Sequence, residues 1–175
     1  VVPLPSFIRS RMTIKKICRE YDIPYENVQN INDPEFLDKL EAMKPDVILS
    51  FQHQIFKTRL LGIPAIACIN CHPAKLPKYR GVKPIFWAML NDETEFGITV
   101  HTMEEDIDTG RIISQITLPL HHGKTLMQHY TAAYVRSADV ILDALRKIKD
   151  DSRLENEYAL IPPDAYYYRH PGKED

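Results

Sequence analysis

The chain has 175 residues, 44% hydrophobic and 26% charged, with a formal net charge of −2 and a pI near 6.4. This length and composition are typical of one globular domain with a single buried core. The acidic balance disfavours a generally basic nucleic-acid surface, and with no signal-peptide pattern and no apolar run long enough to cross a bilayer we expect no membrane association.

The first part of the sequence predicts two helices and two strands. Thr13 is a candidate cap for a helix over residues 14–21, and Asp33-Pro34 supplies a capping residue and a first-turn proline for a second helix. Residues 46–50 and 65–69 are short apolar runs between helix breakers. Such runs predict buried strands of a parallel sheet.

The second part predicts a short helix, a pair of strands and a long helix. Residues 84–90 carry the only tryptophan in a helical run, and residues 97–103 and 111–120 predict strands joined by a turn. Lys124-Thr125 opens the longest predicted helix, whose apolar residues recur at helical spacing. Residues 151–175 then predict an irregular arm packed by its aromatic side chains.

Helices that alternate with apolar strands favour an α/β domain with three layers and a mostly parallel sheet. We expect residues 1–150 to form one domain and residues 151–175 a C-terminal arm. Val1-Val2-Pro3 resembles the tail of a strand, so we expect the beginning of that strand to precede the first residue. In such sheets, ligand sites form at the carboxyl ends of strands, where Asn70 is predicted to close the second strand.

A carboxamide, an imidazole and a carboxylate stand beside turn-forming residues near that strand end. Asn70 and His72 lie in the sequence Asn-Cys-His-Pro, and Asp108 precedes Thr109-Gly110. The amide and the imidazole can hydrogen-bond a developing oxyanion, and a carboxylate can hold the charge and tautomer of the imidazole. Taken alone, each residue has a plainer interpretation as a turn residue, a structural histidine or a cap.

Longer runs around these residues resemble a known family. Residues 70–85 are NCHPAKLPKYRGVKPI, residues 97–101 are GITVH and residues 107–110 are IDTG. Together they closely resemble the signature of the 10-formyltetrahydrofolate-dependent formyltransferases. The resemblance covers residues 24–150 and implies a Rossmann-like fold in which an amine acceptor attacks the formyl carbon of 10-formyltetrahydrofolate. The loops look closer to the methionyl-tRNA and sugar-nucleotide enzymes than to the glycinamide ribonucleotide enzyme.

The resemblance also implies a role for individual residues. Asn70 and His72 would stabilise the tetrahedral oxyanion, and Asp108 would orient His72 and help to move the amine proton. The family holds the pterin with backbone groups from two loops. The residues at the matching positions are Gln54, Ile55, Phe56, Met103, Glu105 and Ile107. The plainer interpretation is core packing for Ile55 and Phe56 and solvated charge for Glu105.

Four cations crowd the loop after His72, interleaved with Tyr79. They are Lys75, Lys78, Arg80 and Lys83. They predict a docking patch for a phosphate-bearing acceptor, and a solvated face is the alternative. The patch fits a methionyl-tRNA acceptor arm, an amino sugar nucleotide or glycinamide ribonucleotide, although the overall charge does not support tRNA.

Other functions stay open. A formyltetrahydrofolate deformylase would resemble the same fold and deliver the formyl group to water, and a folate- or nucleotide-binding module would bind without turnover. Cys68, Cys71 and His72, with His53 upstream, have partial zinc-ligand spacing, but there is no second Cys-x-x-Cys pair and we expect no metal. A serine hydrolase is disfavoured because the sequence lacks Gly-x-Ser-x-Gly. Three cysteines cannot all pair with one another, which favours a reducing, cytoplasmic setting.

Overall fold

The computed structural model describes residues 13–51, 54–154, 158–162 and 164–174. They fall into two compact units that divide between Ile31 and Asn32. The first unit holds helix α1 (Ile14–Glu20), where the Thr13 hydroxyl accepts a hydrogen bond from the Lys16 amide. This confirms the first predicted helix. The predicted strand tail at Val1-Val2-Pro3 lies outside the described residues.

The second unit holds the other helices and strands. The helices are α2 (Pro34–Met43), α3 (Thr58–Leu61), α4 (Pro84–Leu90) and α5 (Leu126–Asp150). The strands are β1 (Val47–Ser50), β2 (Ala67–His72), β3 (Arg80–Gly81), β4 (Glu95–Thr102), β5 (Gly110–Pro119), β6 (Leu160–Ile161) and β7 (Tyr167–Tyr168). Every helix and strand predicted from the described residues is present, while α3, β3, β6 and β7 were not predicted.

Side-chain caps fix the helix starts that the sequence indicated. The Asp33 carboxylate accepts hydrogen bonds from the amides of Glu35 and Phe36 at the start of α2. At the start of α5, Thr125 and Gln128 form a reciprocal capping box in which each side chain bonds the other residue's backbone amide. None of the described helices combines the length and the hydrophobicity that a membrane crossing requires.

Five of the described strands form the central sheet, in the order β1-β2-β4-β5-β6. β1 and β2 are parallel, whereas the other three neighbouring pairs are antiparallel. The α/β class with a central sheet is confirmed, but among these strands the sheet is mixed rather than mostly parallel. For β4 and β5 the reason is the turn over residues 103–109, because a short connection between neighbouring strands produces an antiparallel hairpin.

Helices cover both faces of this sheet. The Cys68 thiol lies 3.6 Å from the Leu60 carbonyl of α3, while Cys71 belongs to the core cluster that contains Ala133, Val140 and Ala144 of α5. Residues 68 and 71 of β2 point to opposite faces because side chains alternate along a strand. The predicted three layers are therefore present around the sheet. The core includes Ile85 and Ile98, each fully buried.

β2 runs further than the sequence indicated. It was predicted to end at Asn70, but it continues to His72 because its last residues pair with β4, His72 with Thr99. Asn70 therefore lies inside the strand, and His72 is its last residue.

The predicted C-terminal arm is tied to the rest of the unit by two short strands. β6 pairs with β5 at the edge of the central sheet, and β7 pairs in parallel with β3, in the loop after His72. The arm is thus more regular than expected, because the exposed edges of β5 and β3 offer backbone partners to it. The proposed boundary at residue 150 stays a prediction.

Thr99 of β4 fixes the loop that follows His72. Its fully buried hydroxyl donates to the Ala74 carbonyl at 2.6 Å. It accepts from the Leu76 amide at 3.3 Å and from the Gln115 side chain at 2.7 Å. One hydroxyl thus satisfies three buried or partly buried polar groups.

We predict that Thr99→Val lowers the free energy of unfolding by about 2–4 kcal/mol, because it leaves these partners without their hydrogen bonds at nearly unchanged volume. Urea unfolding would measure the change. Thr117→Val makes the same substitution at an exposed position of β5 and should change stability by less than about 0.5 kcal/mol. Equal effects of the two substitutions would contradict this account of the loop.

Candidate active site

A pocket of about 440 Å³ lies at the carboxyl ends of β1 and β2, which is a volume suited to a small-molecule ligand. The turns over residues 54–56, 81–84 and 103–108 form much of its wall. Asn70, His72 and Asp108 all line it, so the structure brings together the three residues that the sequence singled out.

Strand register places Asn70 opposite His101. The two residues are paired partners on the antiparallel strands β2 and β4, so their side chains share one face of the sheet. The Asn70 amide nitrogen lies 3.4 Å from His101 Nε2 and 3.5 Å from Asp108 Oδ1. Both are long for hydrogen bonds, so the Asn70 amide can exchange them for a stronger acceptor.

Asp108 sits in the turn between β4 and β5 with a left-handed backbone at φ 50°. Its Oδ2 accepts a hydrogen bond of 2.7 Å from the Gly81 amide. Its Oδ1 lies 3.6 Å from His72 Nδ1 and 3.8 Å from His101 Nε2. The Asp108 side chain is only 9% exposed, so the carboxylate acts on these neighbours with little screening by water.

Acceptors face both ring nitrogens of His72. Its Nε2 lies 3.0 Å from the Tyr79 carbonyl, which can only accept, so this nitrogen must carry a proton. Its Nδ1 lies 3.6 Å from the Asp108 carboxylate, another acceptor. These two neighbours fix the orientation of the imidazole ring.

The surroundings of His101 favour the neutral imidazole. Its Nδ1 lies 2.8 Å from the Thr102 carbonyl and 3.0 Å from the Thr109 carbonyl, so Nδ1 carries the proton. Burial lowers the pKa of His101, and the nearby His72 lowers it further against the opposing effect of Asp108. The neutral ring therefore presents an unprotonated Nε2 toward the Asn70 amide.

All six residues predicted to hold the pterin line this pocket. Ile55 is 63% exposed, which excludes core packing for its side chain, whereas Phe56 is buried as the alternative interpretation expected. The Glu105 carboxylate accepts a hydrogen bond of 2.9 Å from the Thr58 hydroxyl and thereby ties the two loops together. Their role in binding stays a prediction.

The four predicted acceptor-binding cations are not together. Lys83 lines the pocket, whereas Lys75, Lys78 and Arg80 do not. Lys75 pairs with Glu95 at 2.5 Å and Lys78 with Glu93 at 3.1 Å, as the solvated-face alternative expected.

Arg80 has a different position, since it is only 5% exposed. Its guanidinium donates to the backbone carbonyls of Ile107, Pro162 and Ala165. Burial among carbonyls makes Arg80 a link between the turn that carries Asp108 and the C-terminal arm.

Several contributors to the site were missed from the sequence. His101 had an available signal, because a polar residue inside the buried run 97–101 requires partners. Tyr130, Tyr167 and Gly81 also line the pocket, but they arrive from a helix, the arm and a loop whose packing leaves no sequence pattern.

The rival zinc site finds no support in the geometry. Cys68 and Cys71 point to opposite faces of β2, and burial raises the pKa of Cys68 to about 12 and also raises that of Cys71. Within the described ranges, no group of three His, Cys, Asp or Glu residues is arranged to hold a metal ion. His53 lies outside the described residues.

Comparison with known proteins places the chain in a family. The family model described as formyl transferase matches residues 9–145. Methionyl-tRNA formyltransferase of Syntrophus aciditrophicus is 34% identical over 137 residues, covering 78% of this chain and 44% of the relative. The chain thus spans about half the length of the curated relatives that it matches, and it belongs to the formyl transferase family.

Solved structures agree with this assignment. A sugar N-formyltransferase from Shewanella superposes with a TM-score of 0.59 and 25% identity, covering 80% of this chain and 55% of that one. A 4-N formyltransferase from Francisella tularensis superposes with a TM-score of 0.63 and 26% identity, covering 92% and 62%.

The neutral state of His101 predicts a dependence of stability on pH. Because burial lowers its pKa, the unfolded chain takes up this proton at a higher pH than the folded chain does. The free energy of unfolding should therefore fall as the pH drops below about 6.5, with His101 contributing up to about 1.4 kcal/mol per pH unit.

Denaturant unfolding between pH 7 and pH 5 measures this slope. His101→Asn keeps a donor near the two carbonyls but cannot titrate, so its stability should fall less steeply than that of the wild type. His170→Asn removes an exposed histidine and should leave the slope unchanged. A wild-type slope retained in His101→Asn would contradict the assigned state.

Proposed function

We propose that this chain transfers a formyl group from 10-formyltetrahydrofolate to a primary amine of a phosphate-bearing acceptor. The observation that carries the proposal is the convergence of Asn70 and His72 on Asp108, within 3.6 Å, at the wall of a pocket. A hydrogen-bond donor, an imidazole and a carboxylate are groups that suit acyl transfer to an amine.

The pocket suits a pterin on the side formed by residues 54–56 and 103–107. Glu104, Glu105 and Asp106 line it there and offer acceptors, and a pterin ring presents amino and ring N–H donors. The exposed Ile55 side chain offers apolar surface to a flat ring. These features support 10-formyltetrahydrofolate as the donor substrate.

The proposed reaction proceeds by addition and elimination at the formyl carbon. The acceptor nitrogen forms a bond to this carbon, and the carbonyl π electrons move onto oxygen. The bond from the carbon to N10 of the folate then breaks, the amine loses a proton and N10 gains one.

Each of the three residues has a separate task in this sequence. Asn70 donates to the developing oxyanion in exchange for its two long hydrogen bonds. His72 stabilises the same oxyanion, with Tyr79 and Asp108 orienting its ring. Asp108 orients His72 and receives the amine proton, directly or through water.

Lys83 is the residue that favours a phosphate group on the acceptor. It lines the pocket, and among the described residues its ammonium has neither an ion pair nor a hydrogen bond. The resemblance of the sequence leaves methionyl-tRNA and an amino sugar nucleotide as candidate acceptors, with glycinamide ribonucleotide as a further alternative.

We predict that Asn70→Ala lowers kcat/KM by about 10²–10³ and Asp108→Asn by about 10²–10⁴, since these are the sizes of one oxyanion donor and of positioned acid–base help. Release of tetrahydrofolate from 10-formyltetrahydrofolate in the presence of an amine acceptor would measure the rates. Thermal unfolding would verify that both variants remain folded.

Asp139→Asn makes the same chemical change on the exposed side of α5, where Asp139 pairs with Arg136 at 3.1 Å, and should keep wild-type turnover. Wild-type rates in folded Asn70→Ala and Asp108→Asn would overturn the assignment of the site.

A further inference from the structure

The C-terminal arm contributes a side chain to the pocket. β7 lies alongside β3, with Tyr167 paired to Arg80 and Tyr168 paired to Gly81. The Val82 amide donates to the Tyr168 carbonyl at 2.9 Å, and the Trp87 indole donates to the Arg169 carbonyl at 3.1 Å. With the Arg80 hydrogen bonds described above, the arm is held against the loop that carries Gly81.

The three consecutive tyrosines of the arm have different surroundings. Tyr168 packs against Tyr79 and Trp87, with ring centroids 5.0 and 5.2 Å apart, and accepts a hydrogen bond from Asn91. Tyr166 is 74% exposed and lies outside the pocket, whereas Tyr167 is 41% exposed and lines it. Tyr167 is therefore the one of the three that can meet a ligand.

The Tyr167 ring can lie close to Gly81 because glycine has no side chain. Gly81 has φ 99°, and a Cβ there would overlap the Tyr168 carbonyl and press on the Tyr167 ring. The ring lies against the backbone of Gly81, whose own amide binds Asp108. Among the described residues, the Tyr167 hydroxyl has no hydrogen-bond partner and is available to a ligand.

We propose that Tyr167 is a specificity-determining residue that packs against the sugar ring of an amine-bearing sugar phosphate, with Lys83 beside it for the phosphate. This inference rests on the proposed function, which assigns the side formed by residues 54–56 and 103–107 to the folate. An aromatic face with a polar tip suits a sugar, which offers apolar C–H faces and hydroxyls together. The net charge of −2 and the presence of one unpaired lysine among the described residues of the pocket favour such a small acceptor over tRNA.

The test measures binding, without turnover, by titration calorimetry. The probes are a nucleoside-diphosphate-linked amino sugar, glycinamide ribonucleotide, a methionylated RNA minihelix and tetrahydrofolate. We expect Tyr167→Ala to weaken binding of a sugar phosphate about ten-fold and to leave the Kd for tetrahydrofolate unchanged. Tyr167→Phe keeps the ring and should retain most of the affinity.

Tyr166→Ala is the matched control, because it removes the neighbouring tyrosine from the exposed side of the same arm, and it should change no Kd by more than about two-fold. The proposal is overturned if neither sugar phosphate binds the wild type, if only the minihelix binds, or if Tyr167→Ala leaves sugar-phosphate binding unchanged. Equal losses in Tyr166→Ala, or a matching loss of tetrahydrofolate binding, would also overturn it.

The two proposals can fail separately. Tyr167-dependent binding without any formyl transfer would contradict the proposed function and leave the sugar-phosphate site standing. Formyl transfer to an acceptor whose Kd is unchanged in Tyr167→Ala would contradict the role of Tyr167 and leave the proposed function standing.

Discussion

The hydrogen bond from the Gly81 amide to the Asp108 carboxylate is the contact on which the rest of the site depends. It joins the loop after β2 to the turn between β4 and β5, and it is 2.7 Å long. Arg80 strengthens the same junction, since it bonds the carbonyl of Ile107 at 2.8 Å. With its carboxylate fixed in this way, Asp108 can face His72 and Asn70 at once, which is the preorganisation that electrostatic catalysis needs.

The fold supplies the remaining constraints through strand register and buried hydrogen bonds. Pairing between β2 and β4 puts Asn70 across from His101, and the carbonyls around His101 keep its proton on Nδ1. The ring centroids of His72 and His101 lie 6.4 Å apart, and burial lowers the pKa of His101, so this ring is neutral where it meets Asn70. The two histidines therefore differ in their surroundings and not in residue type.

Much of this arrangement could be predicted from the sequence, because the helices, the strands and the candidate catalytic residues lie in local patterns. Caps such as Thr125, apolar runs and the motif around His72 marked the helices, the strands and the pocket. Three features could not be predicted in the same way: the direction of β4, the burial of Arg80 and the position of Tyr167 at the pocket. These features depend on which distant segments of the chain pair with one another. The sequence around an arginine such as Arg80 does not distinguish an arginine that binds phosphate from one that is buried among backbone carbonyls.

We propose that the formyl group moves from the folate to an amine at Asn70, His72 and Asp108. The most direct measurement follows an isotopic label in the formyl group of 10-formyltetrahydrofolate, with and without an amine-bearing sugar phosphate. We expect the label in an N-formyl product, in a one-to-one ratio to the tetrahydrofolate released and only when the amine is present. Label recovered as formate at a rate indifferent to the amine would identify a hydrolase and contradict the account.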